Sequence, residues 1–179
     1  ILGPAVTGIA AHVRCGDPYE ADRTTGGEAA QAGDSFVLQA MMGQQIRSGV
    51  ATVVDEPTIE NSDGFYLFVD EGEKAKPREL SKNGKRYDFF HNRETGSRMG
   101  VLSNGSSRAT NNNREAIVRM ANTYVKPGEY SFDELVEDVK LGVLMKSFTE
   151  WNIDDKRYNQ RYIGREAYLI ENGKIGKPV

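Results

Sequence analysis

The residues best equipped for chemistry lie in the segment AAHVRCGDPYEAD, residues 10–22. It holds His12, one of two histidines, and Cys15, the one cysteine, with Asp17, Glu20 and Asp22 close behind. An imidazole, a thiol and several carboxylates at this density are the donor types of a zinc site. The competing reading is a packed or solvated histidine, the usual state of a lone histidine beside an apolar stretch. His12 and Asp17 stand at i, i+5, an offset that turns two side chains about 140° apart on a regular helix. They converge on one ion only if the helix ends or widens between them, and Gly16 permits that break. The i, i+4 spacing of the familiar metallopeptidase helix needs no such break.

Other polar groups are weaker candidates. Arg119, Asn122 and Tyr124 could order a substrate backbone, although alternate polar residues on a strand are more often its wet face. Trp151, Tyr158 and Tyr162 suit either a partner surface or a core.

The elements that must position these residues read as α+β, mainly antiparallel strands with a few helices. Residues 7–15 read as a helix start with Thr7 as a possible cap. Residues 27–42 are helix-compatible but broken by Gly27, Gly33 and Gly43. Ala51–Asp55 and Phe65–Val69 read as strands. Asn83-Gly84, before Tyr87–His91, and Asn172-Gly173, after Glu166–Ile170, are hairpin turns, because Asn-Gly accepts the positive φ values of a type I′ turn. The clearest helix is Ser131–Leu141. Ser131 and Glu134 form a capping box, and Phe132, Leu135, Val136 and Val139 predict one buried stripe. The polar run SNGSSRATNNNR, 103–114, reads as a loop, dividing a single domain of 1–179 into possible lobes 1–102 and 115–179.

Composition bounds the function class. The 179 residues carry a formal net charge of −3 and 38% hydrophobic residues. No basic stripe suggests nucleic acid, and no apolar run reaches the ~18–20 residues that span a bilayer. A single cysteine fits a reducing compartment, hence a cytoplasmic location. The start at Ile1 and stop at Val179 predict a segment of a longer protein.

Several stretches together resemble the TldD/PmbA family, also known as modulators of DNA gyrase. AAHVRCGDPYEADR is similar to the segment that carries HExxxH in that family, which in archaeal-type members resembles HESxGHPxEADR. GGEAAQAGDSF (26–36), VDEG (69–72), RMANTYVKPG (119–128), SFDELVEDVKLGVLMKSF (131–148) and GREAYLIENGKI (164–175) resemble it too, so nearly the whole chain is covered. RMxNTYxxPG and EAYLIENGxI are the specific motifs. TEWNIDDKRYNQRY (149–162) looks like the archaeal branch.

The resemblance implies a zinc-dependent peptidase acting on unstructured peptides bound as an added strand, in a homodimer or a heterodimer with a TldD/PmbA paralogue. It implies His12 as first metal ligand, Asp17 at the second ligand position, and a third ligand, a cysteine, beyond this chain. Val13 occupies the general-base position, and valine cannot accept a proton. Asp70 and Glu71 match an acidic turn near the family's cleft, and with Arg119 and Asn122 they are the expected substrate-binding residues. Three readings stay open: a non-catalytic PmbA-like partner, a sequence altered or mis-assigned over 13–17, or a site completed by Glu20 or Asp22 with His12 and Asp17.

Overall fold

A computed structural model describes residues 17–25, 41–46, 49–153 and 159–179. The expected helix at 7–15, His12 and Val13 lie outside them, as does most of 27–42. Among the described residues no helix is long and apolar enough to cross a membrane.

A short 3-10 turn, Asp17–Tyr19, leads into helix α1 (Ala21–Thr25). Then come β1 (Val53–Asp55), β2 (Arg78–Lys82), β3 (Lys85–Arg86) and α2 (Arg93–Met99). The chain continues with β4 (Ser107–Arg108), β5 (Ile117–Val118), β6 (Thr123–Val125) and α3 (Phe132–Glu137). It ends in β7 (Leu141–Ile153), β8 (Gln160–Glu171) and β9 (Lys174–Pro178). The sheets run β3-β2-β1-β6, β4-β5 and β7-β8-β9, with every named pair antiparallel. The α+β class with mainly antiparallel sheet is therefore the observed one.

Both Asn-Gly turns form as expected. Asn83 and Gly84 have φ of 49° and 73°, and Asn172 and Gly173 have 49° and 75°, the left-handed values that a type I′ turn demands. The main core gathers Tyr19, Ala21, Val53, Leu80, Phe89, Phe90 and Val118. Burying a ring such as Phe90, fully enclosed, contributes about 1.5–3 kcal/mol. The segment after Asp17 is fastened to this core through backbone. Phe90 N–H donates to Tyr19 O at 2.8 Å, and Ala21 N–H donates to Phe90 O at 3.1 Å.

Inside the core, Asp55 and Arg78 form a buried ion pair at 2.5 Å. Asp55 also accepts from Thr123 Oγ1 at 2.7 Å and Ala121 N–H at 2.9 Å. Arg78 donates to Gly105 O at 2.5 Å and to the Tyr66 hydroxyl at 3.0 Å. One charge pair thus ties β1, β2, the start of β6 and two loops.

Several local elements differ from those expected. Phe65–Val69 is not a strand: Tyr66 N–H turns back to Pro57 O, and Val69 N–H is taken by Glu73 O in a tight loop closed by Gly72 at φ 81°. The regular ladder of the first hairpin ends at Lys85–Arg86, because Tyr87 and Asp88 N–H both turn to Leu80 O, at 3.0 and 3.4 Å, and Phe90 then meets the Tyr19 segment. The capping box at Ser131 is present, but α3 stops at Glu137. The second hairpin ends it, since the N–H groups of Asn172 and Gly173 take the carbonyls of Lys140 and Val139 at 2.9 Å each. Val136 and Val139 join Leu144 and Ile170 in a small second core, whereas Phe132 and Leu135 remain exposed.

Helix α2 has a sequence signal that passes easily for loop. Asn92 caps it reciprocally with Thr95, and Gly100 ends it at φ 70°, a capping pattern in which threonine stands where Glu or Gln is usual. Within 103–114, the first six residues are structural: Asn104, Ser106 and Ser107 are buried and β4 begins at Ser107. Asn104 donates to Phe89 O at 2.6 Å and accepts from His91 N–H at 2.9 Å. Short polar side chains fit there because each finds a backbone partner.

Candidate functional site

The described part of the presumed metal segment begins at Asp17, whose backbone opens the 3-10 turn. Beyond it, Glu20 is fully buried. Its Oε2 accepts from Arg23 Nε at 2.6 Å and lies 3.4 Å from Arg119 Nη1. Asp22, also buried, accepts the Arg23 N–H at 2.9 Å. A carboxylate already neutralised by two guanidinium groups is a poor zinc ligand, because metal binding must displace both cations. Among the described residues no group of three or more His, Cys, Asp or Glu could hold a metal ion. Glu20 and Asp22 are thus held by protein groups rather than set out as metal ligands, and His12 lies outside the described residues.

The second histidine, His91, is buried against Phe89, 5.9 Å between ring centroids. Burial holds its imidazole below the ordinary histidine value, opposed by Asp88 and assisted by Arg86. Its Nδ1 stands 3.5 Å from Thr95 Oγ1 and its Nε2 4.0 Å from Asp88. This is a core histidine at the start of α2.

The acidic turn is anchored internally. Glu71 accepts from the Arg93 N–H at 3.1 Å, at the start of α2, and from Ser107 Oγ at 3.1 Å. Asp70 accepts from Ala109 N–H at 2.6 Å. Asn122 donates to Glu56 O and Ser62 Oγ, each at 2.8 Å, and accepts from Gly64 N–H at 3.1 Å. Gly64 allows this approach: a Cβ there would stand 2.6 Å from Ala121 C and O. Arg119 joins Glu20 to the Val118 carbonyl, 2.8 Å. The structure thus places Arg119 and Asn122 at the foot of β6, and Asp70 and Glu71 on the turn packed against β4.

Two surface features lie around these residues. The first is a sheet edge that no described strand covers. Glu56 N–H donates to Asn122 O at 2.9 Å and Lys126 N–H to Thr52 O at 2.8 Å. In an antiparallel ladder alternate residues face one neighbour, so Asn122, Tyr124 and Lys126 turn their backbone groups to β1. Thr123 and Val125 turn theirs outward, where no described strand pairs with β6. The second is a pair of clefts meeting at Asp70. One, about 200 Å³, runs along Asp63–Tyr66, Phe68 and Arg108. The other, about 490 Å³, is lined by Asn111, Asn112 and Arg114. Tyr66 forms the inner wall between cleft and core; burial raises its hydroxyl pKa, opposed by Arg78. Arg114, Phe65 and Phe68 carry no motif in the sequence; their only signal is a cation inside a polar run and a run of aromatics ended by an acidic turn.

The profile of the PmbA/TldA metallopeptidase C-terminal domain matches residues 21–179. The chain belongs to this PmbA/TldD family. A metalloprotease of Methanocaldococcus jannaschii is 36% identical over 175 residues, covering 98% of this chain and 37% of that protein. A metalloprotease TldD homolog of Haemophilus influenzae is 31% identical over 179 residues, 100% of this chain and 36% of that protein. A zinc metalloprotease TldD homolog of Saccharolobus solfataricus is 28% identical, covering 100% and 38%. The chain therefore spans somewhat over a third of the curated relatives it matches. TldE from Thermococcus kodakarensis has the same fold, with a TM-score of 0.77 at 19% identity over 97% of this chain and 38% of that one.

Proposed function

We propose that this chain is part of a cytoplasmic TldD-type metallopeptidase that hydrolyses unstructured peptides, with its metal motif degenerate in this sequence. The similarity to proteins named metalloproteases along the whole chain carries this reading. Substrate enters as an added strand on the outward edge of β6, where backbone groups of Thr123 and Val125 pair with it and side-chain identity matters little. Arg119 and Asn122 order that edge, and Asp70 and Glu71 shape the adjoining groove. Zinc is the metal named for the Saccharolobus relative. His12 and Asp17 are the residues of this chain assigned to it, with Val13 at the position of the general base.

The test is metal analysis and peptide cleavage on the full-length protein, beside a Val13→Glu, Asp17→His double variant. Stoichiometric zinc and chelator-sensitive cleavage of a flexible peptide in the double variant support a competent frame that lost its ligands. Absence of both at stoichiometric zinc supply refutes the peptidase reading.

A second reading is a non-catalytic PmbA-like partner that shapes the cavity of an active paralogue. Val13 and the arginine-neutralised Glu20 favour it. It expects a stable heterodimer on co-expression with such a paralogue; a monomer alone would count against it, and against a homodimer.

A further inference from the structure

The two clefts that meet at Asp70 differ in character. Phe65 and Phe68 wall the smaller one and stay 42% and 63% exposed. The two rings offer an apolar contact surface at the mouth of the cleft. The larger cleft is polar, lined by Arg114 and the amides of Asn111 and Asn112. Arg114 is exposed and makes no ion pair with any described residue. A guanidinium fork with free donors is suited to a carboxylate, which it holds through two parallel hydrogen bonds.

Between the two ends stands Asp70, with Oδ2 held by Ala109 N–H at 2.6 Å. Its negative charge sits where the middle of a bound chain would pass. It repels an acidic side chain there while leaving the Arg114 end favourable to one anion. The smaller cleft begins at Asp63 and Gly64, and Gly64 is bonded to Asn122 at the foot of β6. The smaller cleft therefore starts beside the foot of β6.

We propose that this groove binds the carboxy-terminal end of a peptide. An apolar side chain lies against Phe65 and Phe68, the terminal carboxylate rests on Arg114, and Asn111 and Asn112 take the neighbouring amide groups. The inference rests on the peptide-binding reading above and names its substrate class: flexible chains with a free carboxyl end and an apolar residue close to it.

The test uses the full-length protein with chelator present, so that no probe is cleaved, and fluorescence anisotropy with three labelled hexapeptides. One ends in Phe-Gly with a free carboxylate, one is its carboxamide, and one is a carboxamide ending in Phe-Glu. The free carboxylate is expected to bind about tenfold tighter than its carboxamide, the weight of one charged hydrogen-bonded contact. Arg114→Gln should erase that difference, and Phe68→Ser should weaken both peptides alike. Asp70→Asn should admit the Phe-Glu carboxamide severalfold better while keeping the preference for the free end. Equal affinities in the wild-type protein, or a preference that survives Arg114→Gln, overturn the proposal. Wild-type binding of the Phe-Glu carboxamide as tight as that of the free carboxylate overturns it as well. Cleavage without chelator is scored separately, in the Val13→Glu, Asp17→His double variant. Cleavage with no carboxylate preference refutes the groove assignment alone; the preference without cleavage refutes the peptidase reading alone.

Discussion

Replacing Asp55 by asparagine removes one charge from the centre of the fold with almost no change in shape. Asp55 is fully buried, Arg78 is 2% exposed, and they meet at 2.5 Å with a second contact, Nε to the same oxygen, at 3.2 Å. In Asp55→Asn one oxygen remains for Ala121 N–H and Thr123 Oγ1, but an amide nitrogen then points donors at the donors of Arg78. Stranding a buried charge in this way costs about 3–5 kcal/mol. Arg78 keeps Gly105 O at 2.5 Å and the Tyr66 hydroxyl at 3.0 Å, so the lower end, about 3 kcal/mol, is expected. That is roughly a hundredfold in an opening equilibrium. Hydrogen exchange of the full-length protein reads it directly, as faster exchange of amides in β1 and β2 than in the distant β7-β8 ladder. Arg78→Met alone should cost a similar amount by leaving Asp55 unpaired. The double variant should cost less than the sum by about 1–3 kcal/mol, since no lone charge remains. A change below about 1 kcal/mol in Asp55→Asn, or strict additivity in the double variant, would refute the claim that this pair holds the sheet and its loops together.

Further outcomes follow from single sites. Because burial depresses the His91 pKa, the folded state binds fewer protons than the unfolded one once the pH falls below about 6.5. Stability should therefore be unaffected by this group above that value and decline as the solution is acidified. His91→Gln should flatten that decline in denaturation midpoints taken across this range, and an unchanged profile would exclude His91 as its source. Gly64→Ala sets a Cβ 2.6 Å from backbone atoms of Ala121; a loss of about 1–3 kcal/mol and faster exchange in the 62–66 loop are expected. Gly173→Ala combines φ 75° with a Cβ 2.6 Å from Glu137 O, so a cost of about 2 kcal/mol or more should appear as fraying of α3 and the β8-β9 turn, with the main sheet untouched. Ser131→Ala removes an N-cap and should lower the stability of α3 by about 1 kcal/mol, read as local exchange; no change would mean the cap adds nothing to this exposed helix.

Local chemistry made part of this protein legible without a structure. The two Asn-Gly turns and the Ser131–Glu134 cap depend on φ preference and on bonds between near neighbours, so the residues alone determine them. The motifs RMANTYVKPG and GREAYLIENGKI carried the family resemblance through residue identity alone. Tertiary structure decided the rest. Phe65–Val69 has strand-forming residues, yet it curls because its backbone bonds go to Pro57 and Glu73 and its Tyr66 is taken by Arg78. Asn104 and Ser106 look like loop residues in sequence and are core, because His91 and Phe89 present backbone groups that only short polar side chains satisfy. Glu20 reads as a metal candidate until Arg23 and Arg119, the latter distant in sequence, are found on its carboxylate. The groove at Asp70 has no motif at all: Phe68 and Arg114 become neighbours of one carboxylate only when the 63–72 turn packs on β4. Spacing within a segment is set by the chain; which charges meet, and which are left facing solvent, is set by long-range packing that no short window of sequence contains.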